Sequence, residues 1–303
     1  MSLLIWFKSI IAYSYPAIII MGLATNLISL AIFSRKRFKK TIFSTYFRYF
    51  ILFQTLNLIT MPINKMFELN YNSYFSKISN LTCKLRFIYP YFNNSNASWL
   101  LVVISIDRFV SISHPRKFLL KKKPWFQHII SFSIIIFHIF FYIPTWFNYY
   151  LKEQTKVTNE TIKNNKTNKS YKCVTGGIWI ELMGLMQQII IPFIIMALFT
   201  ILAWITVFKS RLKAATTRSN KDIKFTIASI TINIQFLILN LPYFLIGVIY
   251  EYTNVFDNEK NLFYFLNALT YFLVYSNMGS TFLINYFVNS IFKIEVKTIL
   301  KKL

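Results

Sequence analysis

A chain of 303 residues that is 55% hydrophobic and 19% aromatic is not an ordinary soluble domain; it reads as long apolar segments held in lipid. Its net charge of +24 does not make it a nucleic-acid binder, because the lysines and arginines fall in short clusters between apolar runs and not on one soluble face. The partner that fits this charge is anionic membrane lipid. Two cysteines, three scattered histidines (His114, His128 and His138, read as structural) and no acidic or thiol cluster at ligand spacing give no metal site and imply no cofactor.

The first eight residues are too few for a folded ectodomain. The apolar run 10–33 holds Gly22 and Asn26, ends in Ser34-Arg35-Lys36-Arg37 and shows no cleavage site, so it reads as a signal-anchor helix. A basic turn leads into 42–66, where Pro62 is tolerable because neighbouring helices in lipid re-satisfy the freed backbone groups. The third run, 81–108, sets the orientation. Twenty-five residues separate Cys83 from Arg108, and at about 1.5 Å per residue they reach roughly 37 Å, more than the ~30 Å hydrocarbon core. The two ends are thus at opposite membrane faces. A thiol suits an oxidising exterior, while the basic clusters Arg116-Lys117 and Lys121-Lys122-Lys123 suit the cytosol.

The fourth run, 125–149, carries Pro144 near its end. The polar stretch 150–179 holds six lysines, Cys173 and glycosylation acceptor patterns at Asn159, Asn165 and Asn168, and reads as an outside loop closing on a Gly176-Gly177 turn. Then come 180–208 with Pro192, a strongly basic connection over 209–224, 225–250 with Pro242, a small acidic loop over 251–259, and 262–288. The tail 291–302 sets Ile291, Ile294, Val296 and Leu300 among lysines and predicts a short amphipathic helix on the membrane surface. The expected fold is therefore an all-α membrane protein, a seven-transmembrane helix bundle forming one domain over 1–303.

Seven spans put the termini on opposite sides. The connections after runs one, three and five carry about seventeen Lys and Arg, with four more on the tail, against six after run four. The positive-inside rule then puts the C-terminus in the cytosol and the N-terminus outside, at the plasma membrane. Seven of the ten acids, among them Glu181 and Glu251, fall at or beyond the outer surface.

Asn26 within MGLATNLISLAIF, Asp107-Arg108-Phe109, Pro115 seven residues after Arg108, Pro192, Pro242, and above all Cys83 twenty-five residues before Arg108 resemble the rhodopsin-like family of G-protein-coupled receptors. Asn240-Leu241-Pro242 is similar to invertebrate neuropeptide receptors of the FMRFamide-like group. The departures are several. Gln54 stands where the family has an aspartate, Asn240 replaces a tryptophan, Thr200 replaces a tyrosine, and the NPxxY pattern keeps only Asn285.

The resemblance implies a Cys83–Cys173 disulfide and a receptor, not an enzyme, that binds an extracellular ligand and activates a heterotrimeric G protein. Asp107, Arg108, Ile112, Pro115, Asp222, Phe236, Asn240, Pro242 and Asn285 are the expected coupling and switch residues. An ion pair from Arg108 to Asp222 would hold the resting state, the alternative being ordinary interfacial charges. Asn26, Gln54 and Asn285 form an expected polar core, with no charge for a sodium ion. Tyr243, Tyr271 and Tyr275 are an aromatic cradle or lipid-facing belt. Run three has no acid in its outer half for an amine, so Glu181 and Glu251 are expected to take the cationic end of a neuropeptide. A small-molecule chemosensory receptor is the alternative; a transporter or channel fits less well, since the chain shows no repeat.

Overall fold

The computed structural model describes residues 2–39, 42–71, 79–113, 124–156, 168–175, 178–213, 220–252 and 260–301. In chain order these form α1 (Ser2–Phe33), α2 (Lys36–Lys39), α3 (Ile42–Tyr71), α4 (Asn80–Ser113), α5 (Pro124–Asn148), β1 (Tyr149–Lys156), β2 (Asn168–Thr175) and α6 (Ile178–Leu185). A π turn (Met186–Ile190) then joins α6 to α7 (Ile191–Lys213), followed by α8 (Asn220–Tyr252), α9 (Lys260–Val288) and α10 (Ser290–Leu300). The chain is largely helical, and among the described residues four stretches are long and apolar enough to cross a membrane: Tyr13–Phe33, Asn80–Ser113, Trp125–Asn148 and Leu182–Thr206.

Side-chain polarity is distributed inside out. Asn26, Gln54, Asn57, Asn96, His138, Asn233 and Asn285 are buried, while Phe140, Trp204 and Phe287 are 66%, 55% and 75% exposed. Water would penalise such an outer surface; hydrocarbon does not, and it drives polar groups to find partners between helices. Packing of α1 on α9 shows how closely the helices approach. A Cβ built on Gly279 would stand 2.8 Å from the Gly22 Cα, so only glycine fits there. Beside that contact the Thr25 hydroxyl donates to the Gly279 carbonyl at 3.1 Å and Asn26 Nδ2 donates to the Met278 carbonyl at 3.1 Å.

Several features refine or depart from the expected elements. The stretch read as a loop over 150–179 contains an antiparallel hairpin, β1 on β2, with Leu151 opposite Cys173 and Lys152 opposite Lys172. Inside the fifth apolar run, α6 gives way to a π turn in which the Ile191 N–H reaches back to the Met186 carbonyl. Pro192 follows, with no N–H and a ring that clashes with the carbonyl four residues earlier, and a wider turn relieves that conflict. Prolines also lie within α1 and α4, at Pro16 and Pro90. After α9 the chain turns sharply: Asn289 is extended and its side chain accepts from the Ile291 and Phe292 N–H groups, capping α10. Phe292 packs against Phe33, Phe38 and Phe282, and an Arg35–Glu295 ion pair at 2.8 Å ties α10 to the turn after α1.

Candidate functional site

The Cys83 end of α4 is tied to the hairpin by the Cys83–Cys173 disulfide, which joins residues 90 apart with Cα atoms 5.6 Å from each other. Two further contacts fix the same edge: the Phe87 and Tyr149 rings stack at 4.4 Å, and the Leu151 N–H donates to Asn80 Oδ1 at 3.2 Å. Beneath this edge lies a cavity of about 190 Å³ between α3, α4, α8, α9 and the π turn. Such a volume is below the roughly 300–1,000 Å³ that encloses a drug-sized ligand, and suits a small molecule or one end of a larger one.

Tyr243, Tyr271 and Tyr275 all line the cavity. Their rings form a chain, with centroids 5.1 Å apart from Tyr243 to Tyr271 and 5.8 Å from Tyr271 to Tyr275. Tyr275 is buried, so this cradle is not a lipid-facing belt. Toward the interior the lining includes Gln54, Phe236, Asn240 and Asn277, with Asn240 Nδ2 donating to the Phe236 carbonyl at 2.7 Å. Pro242 lies within α8, two residues beyond Asn240. Glu181 and Glu251 belong to α6 and α8, but their side chains lie outside the described residues.

The expected polar trio is brought together only in part. Asn26 meets the backbone of Met278, and Gln54 lines the cavity with Asn277, whereas Asn285 donates to the Thr281 carbonyl seven residues beyond Met278. At about 1.5 Å per residue that separation is roughly 10 Å along α9. The α9 residue that joins the cavity network is Asn277, which accepts from Gln235 Nε2 at 3.5 Å; Gln235 also donates to the Ser280 hydroxyl.

Arg108, at the other end of α4, is only 2% exposed. Ile112, one turn on, is buried, and the Ser111 hydroxyl donates to the Arg108 carbonyl at 2.8 Å. Asp107 is half-buried. Pro115 lies outside the described residues, as does the side chain of Asp222 within α8. One turn before Arg108, Ser105 joins a junction absent from the expected set: Asn233 Nδ2 of α8 donates to Ser105 Oγ at 2.7 Å and to Thr200 Oγ1 at 3.1 Å. Sequence reasoning also passed over a second buried junction. His138 sits between Asn96 Oδ1 at 3.2 Å and Gln187 Nε2 at 3.3 Å, while Trp99 Nε1 donates to the Gln187 carbonyl at 3.0 Å, holding the π turn against α4 and α5. Lys65 and Arg86, both lining the cavity, were passed over too. A signal existed, since each is a cation inside an expected span.

The arrangement therefore places a cavity at one end of α4 and a buried arginine at the other. Comparison with curated proteins returns no match. The model of the 7 transmembrane receptor (rhodopsin family) matches residues 25–279, well over half of the chain. Members of that family are multi-pass membrane receptors, not enzymes, that bind extracellular ligands and couple to heterotrimeric G proteins. The chain belongs to the rhodopsin family of 7-transmembrane receptors.

Proposed function

We propose that this chain is a plasma-membrane receptor whose seven long helical segments all cross the bilayer as one domain, with the N-terminus outside and α10 in the cytosol. Its ligand is a neuropeptide that inserts one end beneath the β1–β2 hairpin, and its output is activation of a heterotrimeric G protein. The observation that carries this reading is the layout of α4. Its Cys83 end is bound to the hairpin above a cavity, and its other end holds Arg108, buried among helices. A ligand that shifts the helices around the cavity changes the packing at Arg108 through the same rod.

In this reading Asp107, Arg108, Ile112 and Pro115 seat the G protein together with the basic stretch 209–224, while Phe236, Asn240 and Pro242 relay motion in α8. Asp222 restrains Arg108 at rest. Glu181 precedes Leu185 of the cavity wall by one turn and Glu251 follows Tyr243 by about two, positions at the mouth suited to a basic residue of the peptide. The cavity size favours a second ligand class, a small molecule taken whole.

The test is a peptide-library screen on cells expressing the chain with a promiscuous G protein. A response to one peptide family is expected; Glu181→Gln and Glu251→Gln weaken an arginine-bearing hit but not its citrulline counterpart, and Asp222→Ala raises ligand-free signalling. Silence toward every peptide, beside a response to an odorant or lipid, would transfer the chain to the small-molecule reading.

A further inference from the structure

The lysines of α10 take no part in the mechanism above. Lys293, Lys297 and Lys301 are exposed and stand four residues apart, a ridge that continues from the Asn289 cap. The Lys293 N–H donates to the Asn289 carbonyl at 3.0 Å and the Lys301 N–H to the Lys297 carbonyl at 3.1 Å, so the ridge keeps helical register to its end. At 3.6 residues per turn the three side chains leave the helix within an arc of about 80°, and at 1.5 Å rise they span about 12 Å. Among the described residues none of the three forms an ion pair.

Three observations bear on what covers this ridge. The opposite face of α10 is already occupied: Phe292 packs on Phe33, Phe38 and Phe282, and Glu295, the one acid of the helix, is paired with Arg35. The helix is thus held against the bundle with its lysines turned outward and no carboxylate of its own to meet them. Next to the ridge, about 20° beyond Lys301, Ile294 is 49% exposed. Apolar surface therefore flanks the cations, as it does where acyl chains give way to headgroups and lysine stems reach toward the polar layer. Helix stability accounts for only part of the ridge. Lys297 and Lys301 suit the negative end of the helix dipole, whereas Lys293, the fourth residue, stands near the positive end, where a cation is unfavourable. Its Nζ lies 5.5 Å from the Tyr286 ring centre, which sets that charge at the junction of α9 and α10.

We propose that this ridge binds one anionic phospholipid whose headgroup carries phosphate monoesters, as a phosphorylated inositol does. Lys293, Lys297 and Lys301 donate to separate phosphate oxygens, and the acyl chains run past Ile294 into the bilayer. A ridge about 12 Å long suits several phosphates on one ring. A serine headgroup brings a single net charge and an ammonium group that the lysines repel. The inference rests on the proposed receptor topology only for its leaflet, the cytosolic one.

The experiment uses the full chain in neutral detergent and counts bound lipids by native mass spectrometry as each is titrated. The probes are phosphatidylinositol bisphosphate, phosphatidylserine and phosphatidylcholine with identical acyl chains, and inositol trisphosphate, which keeps the phosphates and lacks the chains. One bisphosphate lipid should bind per chain, at a concentration at least about tenfold below phosphatidylserine, with phosphatidylcholine weaker still. Lys293→Gln, Lys297→Gln and Lys301→Gln should each weaken it about fivefold, and together about a hundredfold. The three arginine substitutions at the same positions keep the charge and should keep the affinity. Lys121→Gln, Lys122→Gln and Lys123→Gln together remove as much charge elsewhere and should leave it unmoved. Equal affinity for the bisphosphate lipid and phosphatidylserine overturns the inference. So does parental affinity in the triple glutamine variant at 293, 297 and 301, or an equal loss in the triple variant at 121–123, which would make the attraction general. Inositol trisphosphate binding as tightly as the lipid would overturn the lipid as occupant. Binding in detergent is read whichever way the chain is threaded. An α10 found outside the cell would therefore remove the topology and leave the site, while absent binding with α10 in the cytosol would remove the site alone.

Discussion

Asn233 shows what a single buried amide can do in this chain. It links α8 to Ser105 of α4 and Thr200 of α7, one turn from Arg108. Any movement of α8 away from α4 must break the first bond, so Asn233 favours the closed arrangement. Interhelical bonds in membranes are worth about 0.6–2 kcal/mol each, so Asn233→Leu should raise ligand-free nucleotide exchange about threefold to thirtyfold at equal surface expression. Unchanged basal exchange in that variant would mean the junction only packs. Residues of this kind divide sharply in legibility. Arg108 and the two cysteines were readable because charge and thiol are rare in apolar runs. Asn285 was read too far along α9 because it stands seven residues, about two turns, from Met278, and so shares its helical face. Sequence alone does not say which level of that face meets Asn26. Lys65 and Arg86 are legible as charges inside apolar runs, but sequence does not show that they border one cavity.

At the scale of elements, apolar runs separated by polar connections matched the long helices among the described residues, because lipid demands continuous hydrogen-bonded backbone and continuous apolar surface. Their ends were less legible: α1, α3 and α4 extend beyond the expected bounds, since helical hydrogen bonding continues where hydropathy stops. The hairpin escaped because its strands interleave lysines with tyrosines and threonines, and cross-strand pairing leaves no mark in hydropathy. The π turn was foreshadowed only by Pro192. Glycine contact between α1 and α9 permits a direct prediction. Gly279→Ala puts a Cβ against the Gly22 backbone, which cannot yield as a side chain would. Overpacking of this sort costs about 1–3 kcal/mol, so the variant should melt several degrees lower in detergent. Gly22→Ala meets the movable end of Leu58 first and should lose less. Equal melting of both variants and the parent would show that the helices part at no cost.

At the scale of the molecule, the disulfide and α10 secure opposite ends of the helical assembly. Closing a loop of 90 residues removes chain entropy worth up to about 4.6 kcal/mol, an upper bound for a chain already threaded in lipid. Cys83→Ser should therefore reduce surface expression and weaken agonist binding together, because the hairpin loses its hold above the cavity; full agonist affinity in that variant would separate the hairpin from the site. An epitope on the C-terminus should stain only after permeabilisation, as the basic connections require, and staining of intact cells would reverse the orientation.

The central claim is that ligand entering at the Cys83 end of α4 is converted to G-protein activation at Arg108. Its most direct measurement is agonist-stimulated nucleotide exchange on a purified heterotrimeric G protein, compared between the parent chain and Arg108→Ala in nanodiscs, with agonist binding measured on the same samples. The account predicts unchanged binding and exchange reduced to the rate without receptor. Exchange by Arg108→Ala at the parent's rate, with equal binding, would contradict it.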